Sequence, residues 1–442
     1  MITGGWPTLG DRGCPTLALF ARVGIHDLRG LGMLVVGICD FPPIGWVGCV
    51  RNSKLEGAKG KRMSSEFLGM ITAPMADATF FDTPTVASIK KQRIVSKYFG
   101  GWANIVLPKA LSKEGKIMYM DLFCGPGRYR DGSPSTPLLI LEHVVNTASL
   151  RDTTQLFFND ENAEFIETLK SEVSKCPGVE KLKHQPVFRT KSIGREIVSK
   201  IQQVKVPTMF FADPWGYSGI SIDLIDASIA HWGSDFLFFF NYNRINMNLG
   251  CEAMNEPINE FFSVERAEEL RRTVANLRPA EREEAILKEM HNAIRGLGAQ
   301  VGKFTYRSKT GSRPTHHLLC VSRHRQGMAL FKEISAKEST SFDYEVPSLE
   351  HDPSAESYQP GLFSPLAELE EELLATYAGK VLTPEQIYHQ HHNGRPYILK
   401  NYRQALLHLE EAGAVKIDPP KASRARGESF PRETRVTFRS IG

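Results

Sequence analysis

The chain has 442 residues, a length that accommodates two or three domains with a sizeable core. Apolar residues make up 41% and charged residues 24%, the balance of a soluble globular protein. The formal charge of +4 is too small to predict nucleic-acid binding, so any basic surface must be local. The seven cysteines are scattered and odd in number, which excludes a disulfide framework and a Cys-x-x-Cys metal site and favours a reducing, cytoplasmic compartment.

No membrane segment is predicted. The best apolar window, Leu31–Val50, contains Asp40 and the Pro42–Pro43 pair, which disfavour a spanning helix. It also lies too far from the N-terminus for a secretory signal. Residues 1–78 are rich in Gly and Pro and show no sustained period, so we expect a poorly organised segment. The alternative is a mis-assigned start, for which the candidate residues are Met63, Met70 and Met75.

The organised part of the chain begins near Thr79, where helices start to alternate with apolar strands. The first predicted helix, 84–106, is amphipathic, with a basic side that includes Lys90 and Lys91. Because the strands are continuous apolar runs, they predict a parallel sheet covered on both faces. The predicted strands are 117–120, 155–158, 187–188, 208–212 and 235–240.

Two further strands, Val301–Ser308 and His316–Ser322, follow a long polar helical region. The turn-rich link between them, 309–314, suits an antiparallel hairpin. Five parallel strands closed by an antiparallel pair is the order of class I methyltransferases rather than of dehydrogenases. We therefore predict an α/β fold with a Rossmann-like class I methyltransferase sheet over residues 79–342.

A glycine-rich turn follows the first predicted strand, in the order Asp121-Leu-Phe-Cys-Gly-Pro-Gly127. Glycine has no Cβ and tolerates a positive φ, so such a turn lets the backbone approach a flat cofactor closely. The turn resembles the first motif of S-adenosylmethionine-dependent methyltransferases more than the dinucleotide fingerprint, because no third glycine stands in register. The residues predicted to bind S-adenosylmethionine here are Asp121, Phe123, Gly125 and Gly127.

An acidic pair ends the second predicted strand. A carboxylate at this place can accept hydrogen bonds from the ribose hydroxyls of a nucleoside cofactor, and Asp160 is the first choice and Glu161 the second. The alternative is an Asx turn or a helix N-cap formed by Asn159 or Asp160 before Glu161. The interval from Gly127 to Asp160 exceeds the usual spacing of about 20 residues, and the insertion around 131–134 accounts for the excess.

The sequence Asp213-Pro214-Trp215-Gly216 follows the fourth predicted strand, where ligands bind in open α/β sheets. It resembles the D/N-P-P-Y/F/W motif of amino-methyltransferases and the D-P-F-G variant of a family of tRNA guanine methyltransferases. Asp213 and the adjoining carbonyl can accept hydrogen bonds from an exocyclic amine, and Trp215 or Tyr217 can stack on a base. The missing second proline leaves the target amine open, and the alternative is an ordinary turn.

Covalent thiolate chemistry is disfavoured. The chain contains no Pro-Cys pair, which argues against methylation of cytosine at C5. Cys124 lies inside the cofactor turn and is interpreted as a packing residue. The catalytic residues predicted here are therefore Asp213, Pro214 and Trp215.

The composition changes again after Asp343. Residues 343–365 are rich in Pro, Ser and acids and predict a linker, and 366–442 predict three helices followed by two strands around a basic loop. This order resembles a winged helix-turn-helix, whose third helix and wing can bind nucleic acid. The alternative is a winged helix that dimerises or docks a protein. The residues predicted to contact DNA or RNA are Tyr397, Lys400, Asn401, Arg403, Gln404, Arg424 and Arg426.

No metal site is predicted. The His391–His392 pair has no second ligand cluster in the sequence, so we interpret it as a solvated helix end. The pair His316–His317 lies in a predicted strand, where neighbouring side chains point to opposite faces and cannot chelate one ion.

From Phe81 to its end, the chain resembles a bacterial family, the three-Cys-motif partner proteins (TcmP). The resemblance is specific as a set of motifs, and it implies a methyltransferase-like fold, a radical-SAM-type three-cysteine protein as partner, and a role in defence against phage or in mobile elements. Residues 1–78 lie outside it. The motifs are 88–95 with Trp102, 121–132 with 135–138, Asn159–Asn162, Asp213–Gly216, 322–327 and 401–413.

Two functions remain from the sequence. The first is an S-adenosylmethionine-dependent enzyme that methylates an exocyclic amine of nucleic acid. The second is a catalytically silent adaptor of the same fold, which binds the three-cysteine partner or DNA.

Overall fold

The computed structural model describes residues 83–214, 219–249, 255–310, 313–343, 345–355, 365–424 and 430–440. The predicted N-terminal segment 1–78 lies outside the described residues, as do Trp215 and Arg426. None of the helices in these ranges is long and apolar enough to cross a membrane.

One large sheet forms the centre of the described chain. Its order is β10-β6-β7-β5-β4-β1-β2-β3, where the numbers follow the sequence. The strands are β1 (Ile117–Asp121), β2 (Thr154–Asp160), β3 (Val187–Thr190), β4 (Thr208–Ala212), β5 (Asp235–Phe240), β6 (Gln300–Arg307), β7 (Pro314–Ser322) and β10 (Glu350–His351).

The strand directions confirm the class I methyltransferase sheet. Strands β3, β2, β1, β4 and β5 are parallel neighbours. Strand β7 runs antiparallel to both β5 and β6, so β6 and β7 form the expected terminal hairpin. The carboxyl ends of the five parallel strands consequently meet at one edge of the sheet.

Helices cover both faces of the sheet because its strands carry apolar side chains on both sides. Tyr119 and Phe211 belong to one core, and Met120 and Phe210 belong to the other. The first core is covered by α1 (Val86–Lys113), α2 (Thr136–Asn146), α3 (Ala148–Arg151), α4 (Ala163–Ser174) and α11 (Arg325–Glu338). The second is covered by α5 (Arg195–Gln202), α6 (Ile222–Ile229), α7 (Tyr242–Asn248), α8 (Asn255–Phe262), α9 (Val264–Val274) and α10 (Pro279–Gly296).

Part of the segment predicted as a linker is paired. Strands β8 (Phe342–Asp343) and β9 (Val346–Pro347) form a short antiparallel ladder. Strand β10 then adds to the outer edge of β6, where the Arg307 Nε lies 2.7 Å from a carboxylate oxygen of Glu350. This pairing covers an edge that would otherwise expose unpaired backbone groups.

The C-terminal part has the predicted winged helix-turn-helix architecture. Its elements are α12 (Pro365–Tyr377), β11 (Val381–Leu382), α13 (Pro384–His391), α14 (Leu399–Glu411), β12 (Val415–Asp418) and β13 (Arg435–Phe438), and the strand order is β11-β13-β12. Helix α13 begins with a capping box in which Thr383 and Gln386 exchange hydrogen bonds, as the sequence predicts.

Helix α11 packs directly against the winged domain. Lys332 donates a hydrogen bond to the carbonyl of His392 at 2.9 Å, and a Glu333 carboxylate oxygen accepts one from the backbone N–H of Leu399 at 3.2 Å. Val346 of β9 belongs to the winged-domain core. The start of α14 is therefore held by residues of the methyltransferase-like part.

The histidine pair His391–His392 does not form a solvated helix end. Both side chains are buried, His391 hydrogen-bonds Tyr402 at 2.8 Å, and His392 stacks on Tyr388. The sequence interpretation was wrong because Tyr377 and Tyr402 of the domain core enclose His391, and Lys332 of α11 binds the backbone of His392.

Candidate cofactor and acceptor site

The glycine turn is held by the end of the neighbouring strand β2. The backbone N–H of Cys124 donates to the Asn159 carbonyl, and that of Gly125 donates to the Asp160 carboxylate, both at 2.9 Å. Gly125 and Gly127 have φ values of +62° and +88°, in the region that favours glycine. The turn is therefore a preformed backbone cradle at the carboxyl edge of the sheet.

Asp121, the last residue of β1, supports this turn from the core side. Its side chain is fully buried and accepts hydrogen bonds from the Tyr119 hydroxyl at 3.1 Å and from the Phe123 backbone N–H at 3.3 Å. Burial raises the pKa of Asp121 to about 8, although both hydrogen bonds lower it. Of the residues predicted to bind cofactor, Asp121 thus supports the turn, whereas Phe123 packs beside Gly219 of the loop after β4.

The carboxylates at the end of β2 lie in two different environments. Asp160 is nearly buried, and its two oxygens accept from the backbone N–H groups of Gly125 and Asn162, each at 2.9 Å. The bond to Asn162 is the Asx turn that the sequence leaves as an alternative, and Asn162 is the N-cap of α4. Glu161 is exposed and accepts a hydrogen bond from the Ser192 hydroxyl at 3.1 Å.

These residues fit a nucleoside cofactor. Gly125 and Gly127 have no side chain, so a cofactor can approach the backbone of the turn closely. Gly127 packs so tightly that an added Cβ would lie 2.6 Å from Leu169. Beside the turn stands an exposed carboxylate, Glu161, and each Asp160 oxygen accepts one bond while offering two lone pairs. A ribose with two neighbouring hydroxyls matches this donor and acceptor pattern.

Asp213 follows β4 at the same edge and forms an ion pair with Lys91 of α1. The Lys91 side chain is 8% exposed and that of Asp213 is 24% exposed. The ammonium also lies 4.5 Å from the centre of the Phe239 ring, at the end of β5. The ion pair uses Oδ2, and within the described ranges, which leave out residues 215–218, no hydrogen bond reaches Oδ1. Pro214, the next residue, is buried.

A second polar contact of α1 supports the insertion after the glycine turn. Gln92 donates to the Tyr129 hydroxyl at 3.0 Å, and both side chains are buried. Burial raises the pKa of Tyr129, with nearby Asp213 adding to the rise. Sequence analysis missed Lys91, Gln92 and Tyr129 as site residues. The sequence signals were the basic side predicted for this helix, which does not distinguish Lys91 from Lys90, and the family motifs 88–95 and 121–132, which contain all three residues without giving any of them a role.

Cys124 has the character of a packing residue. Its side chain is buried in the same core as Tyr119, and this burial raises the pKa of the thiol well above its usual range. A protonated, enclosed thiol is a poor nucleophile. The structure thus agrees with the interpretation made from the sequence.

Three residues predicted to contact nucleic acid are buried in the winged domain. The Tyr397 hydroxyl donates to the Pro365 carbonyl at 3.1 Å, and Asn401 caps the start of α14 through the Ile398 N–H at 3.0 Å. Arg424 is enclosed between Glu410 and the Phe430 ring. These side chains maintain the domain, so a direct contact from Tyr397, Asn401 or Arg424 does not fit the structure.

The other described candidates on α14 have acidic partners within the chain. Lys400 lies 2.9 Å from a carboxylate oxygen of Glu345, and Gln404 donates to the same carboxylate. Arg403 lies 3.4 Å from Glu385 of α13. The side chains of α14 that were expected to face a nucleic-acid groove are thus paired with acidic residues of the same chain.

A family model supports the C-terminal domain. Residues 350–422 match the model described as a GMT-like wHTH domain, where wHTH denotes a winged helix-turn-helix. The match begins at β10 and ends before the wing is complete. No curated protein sequence matches the chain significantly.

Solved structures with partial similarity include several methyltransferases. The bifunctional kinase-methyltransferase WbdD is 12% identical over 53% of this chain and 40% of its own, with a TM-score of 0.29. Magnesium protoporphyrin IX methyltransferase from Synechocystis PCC 6803, with bound SAM, is 9% identical over 55% and 88%, with a TM-score of 0.25. The methyltransferase domain of bacterial CtHen1-C is 11% identical over 53% and 98%, with a TM-score of 0.26. The strand order above carries the fold assignment.

Proposed function

We propose that this chain is an S-adenosylmethionine-dependent methyltransferase that acts on an exocyclic amine of nucleic acid. One juxtaposition carries the proposal: the glycine turn after β1, the carboxylates after β2 and Asp213 after β4 share one edge of the sheet. Ligands of open α/β sheets bind at that edge. The setting in phage defence or mobile elements, implied by the resemblance to TcmP, belongs to the same proposal.

The cofactor would be held by the turn and by the carboxylates of β2. Glu161 and Asp160 would accept hydrogen bonds from the ribose hydroxyls, and the backbone of Gly125 and Gly127 would line the cofactor. When bound, S-adenosylmethionine supplies an electrophilic methyl group on a sulfonium. Because its pKa is raised, the Asp121 carboxyl next to the turn stays neutral, so no negative charge is buried in the core at this place.

Asp213 would orient the acceptor. Its Oδ1 would accept a hydrogen bond from one N–H of the amine and so hold the nitrogen lone pair in a single direction. Lys91 on Oδ2 prevents the carboxylate from rotating and stabilises its negative charge. Trp215, outside the described residues, would stack on the base. The acceptor nitrogen is activated by orientation, which requires no covalent bond to the chain.

Calorimetric titration with S-adenosylmethionine and S-adenosylhomocysteine tests the proposal. We expect micromolar binding by the wild type and at least a tenfold loss in Asp160→Ala. Asp131→Ala, which removes an exposed carboxylate of the nearby insertion, is the matched control and should bind like the wild type. Folded wild-type protein that binds neither compound would overturn the enzyme assignment.

The second candidate is a silent adaptor of the same fold. It is favoured by the internal pairing of Asp213 with Lys91, since this pair leaves no uncompensated charge in the absence of a ligand. In that role the chain would bind DNA or a radical-SAM-type three-cysteine protein. Asp213→Ala separates the two candidates, because an adaptor retains its binding functions whereas an enzyme loses methyl transfer.

A further inference from the structure

Two neighbouring lysines near the start of α1 bind different parts of the fold. Lys91 pairs with Asp213 after β4. The Lys90 ammonium instead donates a hydrogen bond to the backbone carbonyl of Glu338 at 2.6 Å. Successive residues of an α-helix are about 100° apart around its axis. Only one rotation of α1 therefore satisfies both lysines, and rotating the helix by that angle would bring Lys90 to Asp213 in place of Lys91.

Glu338, the last residue of α11, binds two cations of α1. Its carbonyl is among the last four of the helix, which have no partner within it, so Lys90 satisfies a group that the helix leaves open. Its carboxylate side chain is 6% exposed and lies 2.6 Å from the Lys97 ammonium. Lys90 and Lys97 are about two turns apart and lie on one face of α1. We call these two contacts the Glu338 brace.

Helix α11 is itself held in place, so the Glu338 brace has a fixed base. In its middle, Lys332 binds a backbone carbonyl of the winged domain at 2.9 Å. Nearer its start, an added Cβ on Gly327 would lie 3.0 Å from the Tyr98 hydroxyl of α1. An added Cβ on Gly101 of α1 would lie 2.7 Å from Leu330. Because the two helices touch so closely, neither can rotate without displacing the other.

We propose that Lys90 is a positioning residue for the acceptor-binding carboxylate, acting through the Glu338 brace by setting the rotation of α1. With Lys90 on Glu338, the next side chain, Lys91, meets Oδ2 of Asp213 and holds that carboxylate in one orientation. In this role Lys90 contacts neither cofactor nor acceptor. The effect on methyl transfer rests on the proposed function, whereas the effect on the Lys91–Asp213 pair is measurable without any substrate.

Double-mutant cycles in urea denaturation test the Glu338 brace. The coupling between Lys91 and Asp213, obtained from Lys91→Met and Asp213→Leu, is measured in the wild-type, Lys90→Met and Arg93→Met backgrounds. Expressed as a factor in the unfolding equilibrium constant, the coupling should fall about threefold or more in Lys90→Met. It should be unchanged in Arg93→Met. Arg93 is the matched control because it is an exposed cation of the same helix with no ion pair in the described ranges.

Methyl transfer gives the second readout. Lys90→Met should lower kcat about fivefold or more while the Kd for S-adenosylmethionine stays within twofold, because the glycine turn and the β2 carboxylates are untouched. Lys90→Arg keeps a cation and a donor and should recover most of the coupling and of the turnover. Lys97→Met removes the exposed cation of the Glu338 brace, so it should lower the coupling in the same direction, and it replaces Lys90→Met if that variant does not fold.

Three outcomes would overturn the proposal. They are an unchanged Lys91–Asp213 coupling in Lys90→Met, an equal fall in Arg93→Met, and a Lys90→Arg variant that recovers neither coupling nor turnover. If Lys97→Met has to stand in, an unchanged coupling in that variant overturns the proposal in the same way. Coupling that falls as expected in a protein whose wild type transfers no methyl group would refute the proposed function and leave the Glu338 brace in place.

Discussion

Lys91 and Asp213 form an ion pair that joins the start of helix α1 to the end of strand β4. The two residues are 122 positions apart in the sequence. The ammonium is additionally placed over the Phe239 ring, so three elements meet at one charge. This contact links the helix before the sheet to the residue that we expect to orient the methyl acceptor.

Breaking this pair should destabilise the protein, and removing both partners should restore part of the loss. Lys91→Met and Asp213→Leu each leave one charge in a largely enclosed place, so we expect each to lower the free energy of unfolding by about 2 kcal/mol. The double variant should be more stable than the sum of the single changes predicts. Urea denaturation of the four proteins measures the coupling, and strict additivity would mean that the pair is not formed.

Asp213→Ala should separate chemistry from cofactor binding. The change removes the oxygen that we expect to accept a hydrogen bond from the amine, so methyl transfer to nucleic acid should fall at least 100-fold, about 3 kcal/mol in the barrier. Asp213→Asn keeps an oxygen acceptor at this position and should lose less activity than Asp213→Ala. The Kd for S-adenosylmethionine should stay within twofold, because the carboxylates after β2 are untouched. Transfer of a radiolabelled methyl group is the measurement, and wild-type turnover in Asp213→Ala would remove Asp213 from the mechanism.

Glu161→Gln should weaken cofactor binding without affecting stability. Glu161 is exposed, so the change removes a charged acceptor for the ribose hydroxyls, and we expect a five- to twentyfold rise in Kd at unchanged Tm. Asp160→Asn should lower both affinity and Tm, since its carboxylate also holds the Gly125 N–H. An affinity unaltered in Glu161→Gln would assign the ribose contact to Asp160 alone.

Gly127→Ala should be more damaging than Gly132→Ala. Both glycines have a positive φ, +88° and +85°, so both substitutions carry a backbone strain of about 1 kcal/mol. Only at Gly127 would the new Cβ meet a neighbour, Leu169 at 2.6 Å, whereas nothing lies within 4 Å at Gly132. We expect a further loss of about 1–3 kcal/mol for Gly127→Ala in urea denaturation. Equal losses would contradict the packing of the turn against α4.

Asp121→Asn should change how stability depends on pH. Burial raises the pKa of Asp121 from 3.8 to about 8, so between these values the folded state keeps a proton that the unfolded state has released. The wild type therefore loses stability from this group as pH rises through that window, whereas Asp121→Asn does not. The stability of the variant relative to the wild type should increase from pH 5 to pH 8.5.

Asp131→Asn is the control for this pH dependence. Its hydrogen bonds with Ser133 lower the pKa of Asp131, so its contribution is complete well below pH 5 and should not vary in the measured range. Parallel stability curves for the wild type and Asp121→Asn would show that Asp121 is ionised in the folded protein.

The local sequence pattern was sufficient to predict the sheet architecture. The apolar run at 208–212 became β4 with its predicted bounds, and the hairpin of β6 and β7 closed the sheet as expected. Strand periodicity and glycine turns are local sequence patterns, so the strands and turns that they form depend little on distant residues. The glycine turn and the β2 carboxylates could be located for the same reason, because class I sheets bring consecutive strand ends together.

Contacts between distant segments were decided only by the tertiary structure. Nothing in the basic pattern of α1 distinguishes Lys91, which pairs with Asp213, from Lys90, which binds the carbonyl of Glu338. Likewise, Lys400 stands on the helix predicted to read a groove, yet Glu345 reaches it from the segment predicted as a linker. The partner of a side chain depends on how whole helices and strands are rotated and packed. One residue more or less in a connecting loop can change that rotation and packing. The periodicity of the sequence carries no information about the rotation or the packing.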